Sequence, residues 1–191
     1  MAQSAPSPYA AHGGHTLVEL LMVLMIVAIA AAIVLPGADP VVPSALDVAV
    51  GEVAQALRFA QSDAIRTGSY RVVRIDVTDN SVRVFALDMA ATPPVEDTAH
   101  PLSHPVDKKK YEFDFAQGAA TAGVTVTSSV FTFADGSSAS QLGFGADGSP
   151  VNVLGPNPQG LVGTGLVQLA YGAFQRTVSV DAATGRVTLS S

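Results

Sequence analysis

Two histidines are the first residues of this 191-residue chain whose types and spacing could do chemistry. His100 and His104 are four residues apart, a spacing that places two ligands on one metal ion when the segment is helical. Pro101 and Pro105 forbid that helix, because proline removes a backbone donor and clashes with the preceding turn. We therefore expect solvated loop histidines and predict no metal site.

A glycine-rich segment is the second chemical candidate. Residues 143–148 have the G-x-G-x-x-G spacing of a dinucleotide loop, but residues 149–151 and the Gly/Pro-rich stretch after them offer no helix to follow it. Asp135-Gly136 and Asp147-Gly148 are turn dipeptides without the ligand count that calcium requires. No nucleophile stands beside a recognisable base, and no Walker A sequence is present. We predict no enzyme activity and no cofactor.

The third candidate is an acid within an apolar run. From Thr16 to Leu35 the chain has 20 residues and a single charge, Glu19. Such a helix would rise about 30 Å, the thickness of a bilayer's hydrocarbon core. An intramembrane carboxylate is costly unless it is paired, which points to a function, although an acid near a helix end can also reach the headgroups. We predict a transmembrane helix over residues 15–35.

An ordinary secretory signal peptide is the competing interpretation of this segment. It would have a positive amino-terminal region, a shorter apolar stretch and a small-residue cleavage site after that stretch. Residues 1–14 contain no Lys or Arg, and the apolar run is too long. Ala30-Ala31-Ala32 could still serve as a signal-peptidase site, so a chain cut after Ala32 stays an alternative.

The string GGHTLVELLMVL around Glu19 resembles the class III signal of type IV pilins and type II secretion pseudopilins. The matching positions are Gly14, Thr16, Leu17, Val18, Glu19 and Leu20. The resemblance implies that prepilin peptidase removes residues 1–14 by cutting between Gly14 and His15, and that it methylates the new amino group of His15. It also implies that Glu19 neutralises the terminal amine of a neighbouring subunit in a filament core, where a low dielectric strengthens the pairing.

Two features depart from that family pattern. His15 stands where phenylalanine is commonest, and the leader has no Lys or Arg. The positive-inside rule therefore gives little support for the orientation, and a cytoplasmic leader is implied by the resemblance alone.

Residues 36–68 predict a break followed by an amphipathic helix. Pro36 stands where pilins have a proline at which the membrane helix bends, so we expect a kink there, with an ordinary helix end as the alternative. Ser44 is a suitable N-cap, and Gly68 a suitable C-cap. Between them one apolar stripe recurs at steps of four and three, formed by Leu46, Val50, Val53, Leu57, Ala60 and Ala64.

Residues 69–191 predict a β-rich domain. A hairpin is expected around residues 79–81, with Val73, Ile75 and Val77 on one face. Residues 89–110 are predicted to be an exposed loop. Further strands are expected at 111–115, 124–133, 141–144, 166–171, 176–181 and 186–190, with the last pair joined by a turn at Thr184-Gly185.

The resulting fold class is α+β, with a long amino-terminal helix packed on an antiparallel sheet. The organisation resembles the H-type pseudopilin of type II secretion (GspH) and the FimT and FimU minor pilins. The strings that carry this resemblance are LRFAQSDAIRTG, FGADGSPV and the terminal Thr-Gly-Arg-Val. Gln61, in the first of them, stands where the family usually has arginine.

The resemblance implies a structural subunit of a pseudopilus in a bacterial inner membrane, with its β domain in the periplasm. Implied partners are prepilin peptidase, the major and other minor pseudopilins, the assembly platform and membrane lipid. The net charge of −6 argues against nucleic acid, although Arg176 and Arg186 could form a local patch. A type IV minor pilin, for assembly or DNA uptake, and a secreted or tethered β-rich binding protein are the alternatives.

Overall fold

The computed structural model describes residues 16–34, 44–155 and 157–190. The chain divides into two compact units, Met1–Val41 and Val42–Ser191. The predicted leader, both residues of the predicted cut and Pro36 lie outside the described residues.

The first unit contains helix α1, Leu17–Val34. Its large apolar side chains are exposed on every side, from 53% for Ile29 to 79% for Leu17. A helix that is apolar all round has no preferred face to bury against a single partner surface. Within the described ranges, no helix combines the length and the apolarity that crossing a membrane requires.

The second unit begins with helix α2, Ser44–Thr67, as the periodicity predicts. The predicted stripe is buried, together with Ala49, Ala54 and Ala56. Gly68 follows the last helical residue with a φ of 65°, the left-handed conformation that favours glycine at a helix end. Both ends of the predicted helix are thus confirmed to within one residue.

Among the residues that the structure describes, twelve strands follow α2, and all of their pairings are antiparallel. They are β1 (Arg71–Asp76), β2 (Ser81–Asp88), β3 (Val95–Glu96), β4 (Glu112–Asp114), β5 (Thr125–Thr132), β6 (Ser138–Ala139), β7 (Gln141–Phe144), β8 (Pro150–Asn152), β9 (Gln159–Gly160), β10 (Thr164–Tyr171), β11 (Phe174–Asp181) and β12 (Val187–Ser190). The α+β class with antiparallel strands is therefore confirmed.

The strands form two sheets, where the sequence predicted one. The first has the order β3-β2-β1-β7-β8-β9, with β4 also paired to β2, and the second has the order β12-β11-β10-β5-β6. Asn80 connects them: its side-chain amide donates to the Val124 carbonyl at 2.8 Å, and its side-chain oxygen accepts from the Val126 amide at 2.8 Å. The local pattern reveals each strand but not which strands become neighbours, since pairing is a long-range property.

Two local predictions need correction. Val77 is 43% exposed and lies in the turn after β1, because the Asp76 carboxylate accepts the amides of Thr78 and Asp79 and closes the turn there. The stretch 89–110 is not wholly an exposed loop, since β3 pairs with β2 and Ser103 forms a bridge with Lys110.

Helix α2 lies against both sheets. It contacts β1, β2 and β7 of the first sheet and β10, β11 and β12 of the second. Its apolar stripe and the inner faces of the strands form one cluster, which contains five fully buried aromatic rings. These are Tyr111, Phe115, Phe131, Phe133 and Phe144. Burial of this face of α2 therefore holds the two sheets together.

A buried ion pair fixes the carboxyl end of α2 to β1. Asp63 is only 6% exposed, and its two oxygens accept from the Arg66 guanidinium at 2.5 Å and the Arg71 Nε at 2.6 Å. Burial raises the pKa of the Asp63 carboxyl, but the hydrogen bonds from Arg71 and Arg66 outweigh it, so its pKa lies below the ordinary 3.8. Stability from this group is therefore present above the unfolded pKa and is lost as the pH falls through the folded pKa.

Replacing Asp63 with Asn should lower the free energy of unfolding at pH 7 by about 3 kcal/mol, because Arg71 would become a buried charge without its partner. The measurement is urea unfolding of the full chain in detergent, followed by tyrosine fluorescence. The variant should also lack the part of the acid-induced stability loss that Asp63 causes in the wild type. The exposed control Asp79→Asn should change stability by less than about 0.5 kcal/mol. An unchanged unfolding midpoint in Asp63→Asn would contradict the role assigned to the pair.

Candidate functional site

The predicted signal motif lies at the start of α1. The Thr16 hydroxyl accepts a hydrogen bond from the Glu19 amide at 3.3 Å, and the Thr16 carbonyl accepts from the amides of Glu19 and Leu20 at 3.0 and 3.2 Å. Thr16 is thus the N-cap of the helix, and Glu19 stands in the first turn, where a negative charge interacts favourably with the helix dipole. The Thr-x-x-Glu spacing is a capping-box signal, which the sequence interpretation overlooked.

The apolar members of the motif are exposed side chains of α1. Leu17, Val18 and Leu20 are 79%, 71% and 57% exposed. Gly14 and His15, the residues of the predicted cut, lie outside the described residues.

The side chain of Gln61 connects the three sequence segments of the second unit on which the family resemblance rests. From α2, its side-chain amide donates to the carbonyl of Gly148 at 3.0 Å and to that of Thr184 at 3.1 Å. Gly148 belongs to the turn between β7 and β8, and Thr184 to the turn between β11 and β12. One side chain therefore connects the helix with a turn from each sheet. Gln61 departs from the family pattern in the sequence, but its partners lie 87 and 123 residues away and leave no local signal.

Glycine is required at two positions beside Gln61. Gly148 and Gly185 have φ values of 79° and 65°, which L side chains rarely adopt. A Cβ atom at Gly185 would also collide with the Gln61 amide and come within 2.9 Å of the Gly148 carbonyl oxygen. The glycines of residues 143–148 therefore belong to β7 and a tight turn that leads into β8, as the turn interpretation predicts.

The aspartates of these turns accept hydrogen bonds from nearby residues. Asp135 and Asp147 each accept a hydroxyl two residues ahead at 2.6 Å, and these hydrogen bonds lower the pKa of both carboxyls. The Thr184 hydroxyl likewise donates to Asp181 at 2.7 Å and lowers its pKa. These are local turn contacts, and among the residues described no group of three His, Asp or Glu side chains could hold a metal ion.

The two loop histidines have different surroundings. His100 is exposed, as predicted, and its ring faces the Asp97 carboxylate at 3.0 Å. The prediction is wrong for His104, whose side chain is only 21% exposed. Its ring packs edge-on against Tyr111, with centroids 4.7 Å apart. The sequence predicted a strand that begins at residue 111, but it gave no sign that Tyr111 would have His104 as an aromatic neighbour.

The candidate basic patch does not form a single surface. The Arg176 Nε lies 3.4 Å from the Asp47 carboxylate, which offsets its charge. The Arg186 carbonyl accepts from the Asp181 amide at 3.0 Å, so Arg186 lies at the far end of β11. Arg176 and Asp181 are five residue steps apart along β11, a distance of about 17 Å.

The chain matches no protein-family model and no curated protein. It is similar to the minor pseudopilin EpsH from the type 2 secretion system of Vibrio cholerae, with 17% identity, a TM-score of 0.48, and coverage of 76% of this chain and 96% of that chain. A crystal structure of EpsH from the same organism gives 15% identity, a TM-score of 0.49, and coverage of 77% and 94%. The type IV minor pilin FimU of Pseudomonas aeruginosa is also similar, with 16% identity, a TM-score of 0.43, and coverage of 76% and 88%.

Replacing Gln61 with Ala should lower the free energy of unfolding by about 1–2 kcal/mol, because two turn carbonyls lose their donor. Amide exchange at Gly148 and Gly185 should also become faster, as each turn loses its connection to α2. Unfolding and hydrogen exchange of the full chain measure the two effects. Gln55→Ala, at an exposed position of the same helix, is the matched control and should leave both quantities nearly unchanged. Equal behaviour of the two variants would contradict the connecting role.

Proposed function

We propose that the chain is a minor pseudopilin, made as a precursor that is cut between Gly14 and His15 and assembled into a type II secretion pseudopilus. The observation that carries this proposal is the string from Gly14 to Leu20, followed directly by the apolar run to Leu35. In this role, the chain is a structural subunit that supports the export of folded proteins. Its β domain would lie in the periplasm.

The exposed surface of α1 supports an anchoring role. Apolar side chains cover the helix, and each large one from Leu17 to Ile29 is more than half exposed. Water is an unfavourable environment for such a surface. The apolar run of the sequence extends beyond the described helix to Leu35. We infer that it inserts into the inner membrane before assembly and packs against neighbouring subunits afterwards.

The position of Glu19 supports a role in assembly. The carboxylate stands in the first helical turn, four residues from the proposed new terminus at His15. Pairing with the terminal amine of an adjacent subunit would remove the cost of its charge in an apolar core. The helix dipole and the Thr16 cap favour the acid at this place in the isolated chain, so the assembly role requires a test that separates the two effects.

A type IV minor pilin stays the alternative within the same group, since the amino-terminal signal serves both systems. The separation of Arg176 from Arg186 and the pairing of Arg176 with Asp47 argue against a DNA-binding patch at that place. The genes beside this one distinguish the systems, because secretion pseudopilins are encoded together.

Replacing Gly14 with Ala should block processing, because the peptidase would lose the glycine that precedes the cut. Mass spectrometry of the protein from cells that contain the peptidase measures this directly. The wild-type chain should begin at His15, with or without a methyl group, and the variant should keep its leader. Gly13→Ala is the matched control and should be cut normally. A wild-type chain that begins after Ala32 would contradict the proposal and favour the secreted binding protein.

Replacing Glu19 with Gln should leave processing and membrane insertion intact but reduce recovery in sheared filaments at least tenfold, a loss of about 1.4 kcal/mol in the pairing. Thr16→Ala is the control, because it removes the cap hydrogen bond and keeps the carboxylate. It should assemble far better than the Glu19 variant. If both variants assembled equally, the role of Glu19 would be confined to α1 itself.

A further inference from the structure

The first sheet carries a row of polar residues on the face that is turned away from α2. The row crosses four strands in register, and its members are Gln141 of β7, Arg74 of β1, Arg83 of β2 and Glu112 of β4. Val73, which precedes Arg74 in β1, belongs to the core that α2 covers. Because successive side chains of a strand point to opposite faces, Arg74 and its row lie on the outer face.

The two arginines at the centre of the row, Arg74 and Arg83, are directly opposite each other. Like charges at opposed positions of neighbouring strands repel, so such a pair needs compensation. Arg83 has it, because its guanidinium binds Glu112 at 2.7 Å and Glu96 at 3.4 Å. The Lys110 ammonium also lies near these carboxylates, 3.6 Å from Glu96 and 3.7 Å from Glu112. The two acids beside the row therefore already interact with two cations.

Arg74 has no carboxylate partner among the residues that the structure describes. Its Nε donates to the Gln141 side-chain oxygen at 3.2 Å, and its guanidinium carbon lies 5.0 Å from the centre of the Phe85 ring. Asp76 shares this face of β1, but its carboxylate accepts two amides of the turn that follows. Neutral groups thus orient the Arg74 guanidinium, and within the described chain its two terminal nitrogens make no hydrogen bond. Two free donors on one edge of a planar guanidinium match the two oxygens of a carboxylate.

An apolar patch lies beside Arg74 on the same face. In this patch, the half-buried Tyr70, Leu87 and Val151 pack against the buried Val72, Phe85 and Val153. The outer face of an antiparallel sheet is commonly polar and solvated, so an apolar cluster there is informative. Arginine and tyrosine beside desolvated apolar residues are typical of the residues that contribute most to protein–protein binding.

We propose that Arg74 binds the carboxylate of an aspartate or glutamate side chain on another protein. The carboxylate would accept from both terminal nitrogens of the guanidinium and would offset the charge that Arg74 brings beside Arg83. Apolar side chains next to that acid would pack on the half-buried members of the patch. The inference stands apart from the proposed pseudopilin role, since it uses contacts of the second unit alone.

The surrounding charges favour a single carboxylate over a polyanion. Glu96, Glu112 and Asp76 lie on or beside the same face, and the chain has a net charge of −6. A nucleic acid or an anionic membrane would bring many negative charges against these carboxylates, and a second copy would bring the same net charge as the first. One acidic side chain in an apolar segment reaches Arg74 without that repulsion.

The test uses the peptide acetyl-Val-Glu-Val-amide as the probe and the full chain in detergent micelles. The Arg74 Nε–H and Gln141 side-chain amide resonances should shift saturably in NMR titration, with half-saturation in the millimolar range. The peptide with glutamine in place of glutamate should bind about tenfold more weakly, because the charged acceptor is lost. The proposal is overturned if the acidic peptide causes no saturable shift, or if the two peptides bind equally.

Substitutions at Arg74 separate recognition of a carboxylate from net charge. Arg74→Gln should weaken binding of the acidic peptide about tenfold, as read from the Gln141 amide. It should unfold at nearly the wild-type urea concentration, because repulsion from Arg83 is lost together with the contact to Phe85. Arg74→Lys keeps the charge but loses the planar pair of donors, so it should bind several-fold more weakly than the wild type.

Arg186→Gln is the matched control, because it removes the same charge at an exposed position of the second sheet's last turn. It should bind the acidic peptide as the wild type does. Equal affinity in the wild type and Arg74→Gln overturns the proposal. Equal weakening in Arg74→Gln and Arg186→Gln overturns it as well, since the effect would then follow from net charge.

The same resonances test the other occupants. A single-stranded oligonucleotide and short-chain phosphatidylglycerol added to the micelles should shift the Arg74 Nε–H less than the peptide does. Dilution of the chain alone should leave it unchanged. Tighter binding of either phosphate compound, or a shift on dilution, would overturn the assignment to an acidic side chain of another protein.

Discussion

The burial of one face of α2 against two sheets is the constraint on which the rest of the second unit depends. Its stripe from Leu46 to Ala64 is fully buried and touches strands from both halves of the strand-rich region. Without the helix, each sheet would expose the inner face that carries its large aromatic side chains. Because the buried face of α2 contains several alanines among its Leu and Val residues, the helix can lie close to both sheets at once. The loops and turns then occupy positions that this packing sets.

Polar contacts from the same helix add direction to that packing. Arg58 donates to the Val187 carbonyl at 3.2 Å, Gln61 reaches the turns at Gly148 and Thr184, and Asp63 pairs with Arg71. Arg58 thus contacts the second sheet, Gln61 contacts a turn of each sheet, and Asp63 contacts the first sheet. The three residues lie within two helical turns. Hydrophobic burial is non-directional, whereas these bonds require particular atoms at particular distances. They select one placement of the sheets among those that would bury similar apolar area.

Features that depend on residues close together in the sequence could be predicted, whereas features that depend on distant residues could not. The helix from Ser44 and the strands around Leu142, Val167 and Val178 were predictable, because their periodicities are local. The division into two sheets was not, because it depends on pairings such as those of Asn80 with residues more than 40 positions away. The short strands β3, β6, β8 and β9 carry no periodic pattern of their own and exist through their neighbours. At the candidate sites, Thr16 and Glu19 were visible as a motif, whereas the contacts of Gln61 with the turns at Gly148 and Thr184 required the fold.

The two helices show why one acid can be informative in one place and ordinary in another. Glu52 lies on an amphipathic helix, where a carboxylate beside the buried stripe is expected. Glu19 lies on a helix that is apolar all round, so any charge there needs a reason. The first turn is the place where such a charge costs least, because the Thr16 cap and the helix dipole act there. The cap and the helix dipole therefore explain why an acid is tolerated at position 19, but an apolar residue would be tolerated there equally well. The presence of the acid, as distinct from its position, is what the proposed pairing with a neighbouring subunit would explain.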